Sequence, residues 1–366
     1  MKKIAFLVML MVAGTASAIT VTVPLSDFVI FSGGAGTGNT GGYETSIGGH
    51  THIIGNIGSN QDLFQQGNPL TGYPAQLDGS AYAGGNLTFG QDLTVGSLSA
   101  LRQVVANGAA SINSGVTIYG TLDALSTTLG SSPPPTITGG IDTTATRDTF
   151  SLITMPAATS FTASGSNKTV PSGSGSFLTL APGTYGALAT SSQDQSVILS
   201  SGNYYFDSIT TQGGFDLNID LTSGNPVNIY VVGNAAFAGQ QMLLVKGAGT
   251  GGAFVPIDQA PSLAGLIYLE THAQFSMGGG LAGTHDIWGG TVYSTLASGI
   301  GVDTGQYMNW YGAAYAVDAF ATADHGTWIH VPLAMTNNAI PEPVTMAGAF
   351  LGVCAVGGYI RRRRMA

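Results

Sequence analysis

The chain has 366 residues, of which 8% are charged and 55 are glycine, and its formal net charge at pH 7 is −9. Average soluble proteins carry about a quarter charged residues and about 7% glycine, so this composition excludes a disordered polyelectrolyte and argues against a helical bundle. Ten Lys and Arg stand against nineteen Asp and Glu. This leaves too little positive charge to neutralise a run of phosphates, so we expect no nucleic-acid partner.

The first eighteen residues have the parts of a secretory signal peptide. Lys2 and Lys3 precede an apolar run over residues 4–14, and Ala16 and Ala18 form the small-x-small pattern that signal peptidase cuts. The mature chain is therefore expected to begin at Ile19, outside the cytoplasm. An N-terminal membrane anchor is the alternative, but the run is short and no stop-transfer pattern follows it.

Residues 19–335 are predicted to form a mainly β body. Short runs of β-branched and aromatic residues alternate there with Gly, Asn, Thr and Ser, which is typical of strands separated by tight turns. The predicted strands cover the following ranges: 21–23, 27–31, 51–57, 87–89, 116–119, 177–180, 197–199, 204–206, 217–221 and 227–232.

Helical signals are few. Ser97 or Ser99 is a candidate N-cap of a short helix that Gly108 would end. A second, weaker helix is predicted from three leucines with helical spacing: Leu122, Leu125 and Leu129. Residues 131–176 are rich in Pro, Ser and Gly, and we interpret them as a connecting excursion between two unequal parts of one body.

An internal repeat indicates a solenoid. Residues 288–294 align with residues 310–316 at a period of twenty-two, pairing Trp288 with Trp310 and Tyr293 with Tyr315, and Tyr268 lies twenty-five residues before Tyr293. A period of 22 to 25 residues corresponds to about one coil of a β-solenoid, whose stacked coils share an apolar core. The repeated aromatic residues are expected to stack inside the solenoid or at its edge rather than to form a ligand platform.

Three segments of the body carry a resemblance to known surface proteins. Residues 180–185, 199–206 and 227–233 contain Pro-Gly-x-Tyr, Ser-Gly-x-Tyr-x-Phe and an extended apolar strand. This order is similar to choice-of-anchor A adhesin-like domains and to ice-binding-like β-helix proteins. The resemblance implies a right-handed β-helix with a short helix packed alongside, and it implies no catalytic residues.

The sequence contains only weak candidates for a metal-binding or catalytic site. His50 and His52 would share one face of a strand and could hold a metal, but a polar pair beside a turn is the favoured interpretation. Asp324 and His325 are adjacent and would point to opposite faces of a strand. A glycosidase pair made of two carboxylates four residues apart, Asp216 and Asp220, would be separated by about 13 Å. We therefore expect no catalytic residue, no cofactor and no metal ligand.

The C-terminal residues 336–366 form a third unit. They contain Pro341, Glu342 and Pro343, then the uncharged residues 344–360, then four arginines: Arg361, Arg362, Arg363 and Arg364. As a helix the uncharged stretch would reach roughly 26 Å, the short end of what spans a bilayer. The arginines would stay on the cytoplasmic side and leave the body outside.

This order of parts resembles the PEP-CTERM sorting signal of bacteria that make exopolysaccharide. The resemblance implies that an exosortase-type membrane protease recognises Pro341, Glu342 and Pro343 and removes the hydrophobic tail. The protein would be anchored transiently in the inner membrane and then displayed on the cell surface or in the extracellular matrix. An ordinary C-terminal membrane anchor is the alternative.

The sequence therefore predicts an exported, non-enzymatic solenoid with a structural or adhesive role in an exopolysaccharide or biofilm matrix. Its expected partners are signal peptidase, the exosortase-type protease, the membrane and exopolysaccharide. Two alternatives stay open. One is a binding module for ice or polysaccharide on a flat β-face, and the other is a polysaccharide-active β-helix enzyme.

Overall fold

A computed structural model describes residues 18–34, 44–67, 75–281 and 285–334, and it is mainly β. Short strands dominate because β-branched and aromatic residues are interrupted every few positions by Gly, Asn or Asp. The strands of the first part are β1 (Thr20–Val21), β2 (Phe28–Ser32), β3 (Thr45–Ile47), β4 (His52–Ile54), β5 (Asn56–Ser59), β6 (Leu63–Gln65), β7 (Gln76–Leu77), β8 (Ala81–Ala83), β9 (Leu87–Phe89), β10 (Thr94–Val95), β11 (Arg102–Ile112), β12 (Thr117–Ile118), β13 (Gly120–Leu129), β14 (Thr136–Ile137), β15 (Ile141–Asp142) and β16 (Thr149–Phe150).

The second part continues the same pattern. Its strands are β17 (Lys168–Thr169), β18 (Phe177–Leu180), β19 (Gly183–Thr184), β20 (Leu188–Ala189), β21 (Ser196–Ser200), β22 (Gly202–Phe206), β23 (Ile209–Thr210), β24 (Asp216–Asp220), β25 (Val227–Val231), β26 (Ala235–Phe237), β27 (Met242–Lys246), β28 (Val255–Pro256), β29 (Ile267–Thr271), β30 (Phe275–Met277), β31 (Asp286–Ser294), β32 (Ile300–Thr304), β33 (Met308–Ala316), β34 (Ala319–Thr322) and β35 (Gly326–Ile329). Short 3₁₀ helices cover Leu25–Asp27, Ile257–Gln259 and Pro261–Leu266.

The strands stack in parallel as three faces of a β-helix-like solenoid. We call the faces sheets A, B and C. Sheet A has the order β19-β22-β25-β29-β31-β33-β2-β5-β8-β11-β13-β15. Sheet B has the order β17-β20-β23-β26-β30-β32-β34-β3-β6-β9-β11-β13. Sheet C has the order β18-β21-β24-β27-β31-β33-β35-β4-β7-β10-β12-β14. The long strands β11, β13, β31 and β33 each turn a corner and contribute to two sheets.

The chain starts in the middle of this stack. From β2 it winds outward to β15, and after residues 143–167 it resumes at the opposite end with β17 and winds back. The last coil, β33 to β35, then pairs with the first coil, β2 to β4. We call this contact the seam, because it joins residues that are far apart in the sequence.

Residues 148–161 run along the outside of sheet A, and we call them the strap. The Asn107 side chain accepts a hydrogen bond from the Phe150 N–H at 2.8 Å and donates one to the Phe150 carbonyl oxygen at 2.9 Å. The Asn60 side chain makes the same two bonds with Ile153, at 2.8 and 2.6 Å. Further along, Phe161 packs against Tyr230 with ring centroids 5.3 Å apart. The strap therefore crosses the seam and covers aromatic side chains that would otherwise face water.

The core is a continuous file of apolar side chains, and its largest members are three tryptophans. Trp310 is 0% exposed and lies between Trp328, at a ring-centroid distance of 4.6 Å, and Trp288, at 5.8 Å. The predicted alignment of Trp288 with Trp310 and of Tyr293 with Tyr315 is confirmed as the register of β31 on β33. The offset predicted for Tyr268 is wrong, because Glu270 rather than Tyr268 lies opposite Tyr293.

Glycine recurs at one corner of the solenoid. Between sheets C and A the chain turns at Gly55, Gly120, Gly202, Gly290 and Gly312, all with positive φ. A Cβ on Gly312 would come within 2.1 Å of the Gly290 carbonyl oxygen, and one on Gly120 within 1.7 Å of the Arg102 carbonyl oxygen. Neighbouring coils thus leave no room for a side chain at these two glycines.

Both helices predicted from the sequence are wrong. Residues 102–112 and 120–129 are the long strands β11 and β13, which pair with each other in parallel. The register shifts between Ala106 and Ala109, where the chain turns from sheet A to sheet B. This shift breaks the two-residue alternation of buried and outward side chains, so the spacing of apolar residues resembles that of a helix. Pairing with the strands of neighbouring coils outweighs the weak helix-capping signals.

The predicted strands agree with the structure. The ranges 87–89 and 177–180 are the bounds of β9 and β18, and most of the others differ by one or two residues. The predicted strand 51–57 is divided at Gly55 into β4 and β5. None of the helices among the described residues has the length and apolarity that a membrane crossing requires. The predicted transmembrane segment 344–360 lies outside the described residues.

Candidate functional site

Sheets B and C present the strand faces that the strap leaves uncovered. On sheet A the outward side chains of the central strands lie under the strap, where Tyr82, Tyr230 and Tyr293 are buried. A ligand with a flat or extended surface would therefore meet the outward side chains of sheet B or sheet C.

The outward file of sheet B consists almost entirely of small side chains. Each member faces its neighbour in the strand register, and most of the residues beside it are buried. In order along the solenoid the file is Thr169, Ala189, Thr210, Ala236, Ser276, Asp303, Ala321, Ser46, Phe64, Thr88, Ser111 and Thr128. All of them are half-buried or exposed.

This file is a regular and rather flat surface. Adjacent strands of a sheet lie about 4.8 Å apart, so hydroxyl and methyl groups recur at that interval along the solenoid. Phe64 and Asp303 are the larger members, and burial raises the pKa of Asp303 above its ordinary value. The surface suits many weak contacts with a repetitive ligand, since no single pocket or charged group dominates it.

The outward file of sheet C is less uniform. It begins with Thr136, Thr117 and Thr94, but it continues with Gln76 and His52. Larger side chains, and the hydrogen bond between His52 and Asp78, interrupt this face.

The two histidines considered as a metal pair do not share a strand face. His50 lies in the turn before β4 with a φ of 51°, whereas His52 is on β4 and binds the Asp78 carboxylate at 2.9 Å. The neighbour of His50 is instead His325, whose ring stacks on it with centroids 4.3 Å apart. His325 and Asp324 lie in the turn after β34, so the prediction that they point to opposite faces of a strand is wrong.

The carboxylates considered as a glycosidase pair are held by neighbours in the solenoid. Asp216 and Asp220 lie at the two ends of β24. Asp220 accepts hydrogen bonds from Thr222 and faces the Lys246 ammonium at 3.5 Å, and these contacts lower its pKa. Burial, and then the nearby Asp194, raise the pKa of Asp216.

Two buried carboxyls have strongly raised pKa values. Asp286 is 0% exposed, and burial raises its pKa to about 7 although the backbone N–H groups of Gln241 and Gln240 donate to it. Burial, and then Asp318 and Asp62, raise the pKa of Glu44 to about 7. Neither residue belongs to the outward file of sheet B or sheet C, so both are groups of the scaffold.

The predicted processing sites lie largely outside the described residues. Ala16 and the sorting residues Pro341, Glu342 and Pro343 are outside, as are the four arginines that follow them: Arg361, Arg362, Arg363 and Arg364. Ala18 and Ile19 are exposed, and the Ile19 backbone N–H donates to Asp148 Oδ1 at 3.3 Å.

Comparison with known proteins gives little guidance. No protein-family model matches the chain, and no curated protein matches it. Among solved structures, the chain is similar to an ice-binding protein from an Antarctic Flavobacteriaceae bacterium, with 12% sequence identity over 84% of this chain and 97% of that one. The TM-score is 0.29, and we take no functional inference from a likeness at this level.

Proposed function

We propose that the chain is an exported, non-enzymatic protein of the cell surface or extracellular matrix. In this proposal its rigid solenoid binds an exopolysaccharide along the outward file of sheet B. The solenoid is wound right-handed, as the resemblance to β-helix surface proteins implies. A PEP-CTERM-type signal, read by an exosortase-type protease at Pro341, Glu342 and Pro343, delivers it there.

The outward file of sheet B is the observation that carries the binding proposal. Its hydroxyl and methyl groups repeat from coil to coil, and the parallel backbone beneath them is fixed by hydrogen bonds on both sides. A polysaccharide also repeats along its length, so successive sugar units can make equivalent contacts with successive coils. Many weak contacts then act together as a multivalent surface, without any deep pocket.

A bulky charged residue in this file should abolish binding. We expect Thr88→Arg to lower the fraction of protein retained on the producing organism's exopolysaccharide at least about tenfold, because the long side chain would hold the ligand away from its neighbours. The measurement is a pull-down with purified protein over a range of protein concentrations.

Thr94→Arg is the matched control for this substitution. Thr94 is half-buried, points outward and belongs to the same coil, but it lies on sheet C. It should leave retention unchanged. Equal losses in the two variants, or retention that is unaffected in Thr88→Arg, would contradict the assignment of the ligand to sheet B.

The sorting proposal predicts an effect of the tail that does not depend on binding. Deletion of residues 336–366 should leave the body folded and exported but remove it from the cell surface. Cell fractionation and the intact mass of the mature protein measure this, since the mass reports cleavage after Ala18 and near Pro341 together. Unchanged surface retention in the deletion, or an intact mass showing that the tail of the undeleted protein stays uncut, would contradict the sorting proposal.

Ice is a second candidate ligand for the same face. The observation that favours it is the repeated Thr, Ser and Ala content of the file, since small hydroxyl and methyl groups on a flat rigid face can match an ordered water lattice. Thermal hysteresis of the purified protein separates the two candidates. Hysteresis that Thr88→Arg abolishes, together with no retention on polysaccharide, would replace the first candidate by the second.

A further inference from the structure

The seam brings together three side chains that can bind a metal and that lie far apart in the sequence. His50 lies in the turn after β3, and Asp324 and His325 lie in the turn after β34, the strand that pairs with β3. One nitrogen of each histidine and one carboxylate oxygen all lie within 4.8 Å of one another. Two imidazoles and a carboxylate are a ligand set that zinc and its neighbours in the first transition series accept.

The backbone holds these side chains in place. His50 and His325 have φ values of 51° and 62°, so equivalent left-handed positions in two stacked turns place the two rings against each other, with centroids 4.3 Å apart. The His325 backbone N–H donates to the Gly49 carbonyl oxygen at 3.1 Å, and this bond links the two turns directly. The site is thus a product of the stacked coils and does not depend on a chance approach of long side chains.

Neighbouring groups orient the ligands. The Gly49 backbone N–H donates to Asp324 Oδ1 at 2.5 Å, which fixes the orientation of the carboxylate. The Tyr307 ring stacks on the outer side of His325 at a centroid distance of 4.7 Å. Such outer contacts are typical of metal centres, where they set the orientation of the ligating groups.

We propose that His50, Asp324 and His325 bind a divalent transition-metal ion, zinc above all, that joins the first coil of the solenoid to the last. Ligand atoms around tetrahedral zinc lie about 3.3 Å apart, given bonds of about 2.0 Å, so the side chains, whose ligand atoms lie within 4.8 Å of one another, would close by up to about 1.5 Å. Three protein ligands leave the fourth position to water. Because residues 50 and 324–325 belong to opposite sides of the seam, the metal acts as a staple that stabilises the closed solenoid.

Metal binding by the purified full-length protein tests this proposal. After dialysis against EDTA, removal of the chelator and addition of zinc, we expect one zinc ion for each chain to remain bound through gel filtration, measured by elemental analysis. Zinc should also raise the melting temperature by at least about 3 °C. Cobalt should give the visible absorption of a tetrahedral site.

The variants His50→Asn and His325→Asn should lose the bound metal and the thermal shift. Asparagine tolerates the left-handed backbone conformation, so these substitutions remove a ligand without straining the turn. Asp324→Asn is a further variant, should either histidine variant fail to fold. His52→Asn is the matched control, because His52 is a neighbouring histidine that lies on β4 and binds Asp78 instead.

The outcomes separate clearly. Loss of zinc in the His50 and His325 variants, with retention in His52→Asn, supports the staple. Absence of bound zinc and of cobalt absorption in the unsubstituted protein would overturn it. Equal zinc binding in His50→Asn and the unsubstituted protein would also overturn it, by placing the metal elsewhere.

Discussion

Replacement of Trp310 by alanine is expected to lower the free energy of unfolding by about 3–5 kcal/mol, the range for large aromatic residues removed from a core. Trp310 is fully buried, and its ring lies between those of Trp288 and Trp328 and beside Phe275. Removing it deprives three aromatic neighbours of contacts at once. Because the coils are rigidly spaced by their backbone hydrogen bonds, they cannot collapse into the cavity. Urea denaturation followed by tryptophan fluorescence and circular dichroism measures the loss.

Phe177→Ala is the control for Trp310→Ala. Phe177 is also aromatic and lies on a strand of sheet C, but it is 61% exposed at the end of the stack. Its removal should change the free energy of unfolding by less than about 1 kcal/mol. A comparable loss in both variants would mean that the tryptophan file is not the centre of the core.

Replacement of Glu270 by alanine is expected to release the strap from sheet A. Glu270 is 1% exposed, and its carboxylate accepts hydrogen bonds from the Thr159 backbone N–H and hydroxyl, both at 2.6 Å, and from the Tyr268 hydroxyl at 3.0 Å. His272 Nε2 lies 3.3 Å from the same carboxylate. Without the acceptor these donors would be buried and unpaired, each at a cost of about 1–3 kcal/mol unless the strap lifts away and exposes them to water.

Hydrogen exchange at Thr159 and Phe161 measures this release directly. Their amides should exchange at least about tenfold faster in Glu270→Ala, and proteases should cut within residues 156–167 before they cut the coils. Asp207→Ala is the control, because Asp207 is an exposed acid that follows β22 of the same sheet. Unchanged exchange in Glu270→Ala would show that the strap is held by its apolar contacts alone.

Much of the solenoid could be predicted because its repeat is local. The alignment of Trp288 with Trp310 is visible in the sequence since one coil separates them, and the strand ends are marked by glycine or asparagine. The two false helices show the limit of this reasoning. Leu122 is buried in the core, whereas Leu125 and Leu129 are exposed where the stack ends, and no local pattern distinguishes these environments.

The candidate sites were harder to predict because they depend on which coils meet. The outward file of sheet B contains one residue from each coil, so no run of neighbouring residues reveals it. The sequence predicts Asp324 and His325 on opposite faces of a strand, but a turn with left-handed backbone at His325 brings both beside His50. Their partner, His50, is 274 residues away from Asp324 in the sequence. Glu270 carried no local signal for its role, since its partner Thr159 lies in a Pro- and Ser-rich connection with no strand pattern.

The seam also constrains the order in which the protein folds. Contacts between consecutive coils join residues about twenty positions apart, as in the bond from the Ser80 N–H to Asn56, which spans 24. The bond from the Tyr315 hydroxyl to the Phe28 carbonyl oxygen across the seam spans 287. Closing so long a loop is entropically costly and is repaid only once both partners are structured. The two halves, β2 to β15 and β17 to β35, are therefore expected to form independently, coil by coil, and to dock last. Until β33 to β35 have been synthesised and folded, the strands β2 to β4 of the first coil have one edge unpaired.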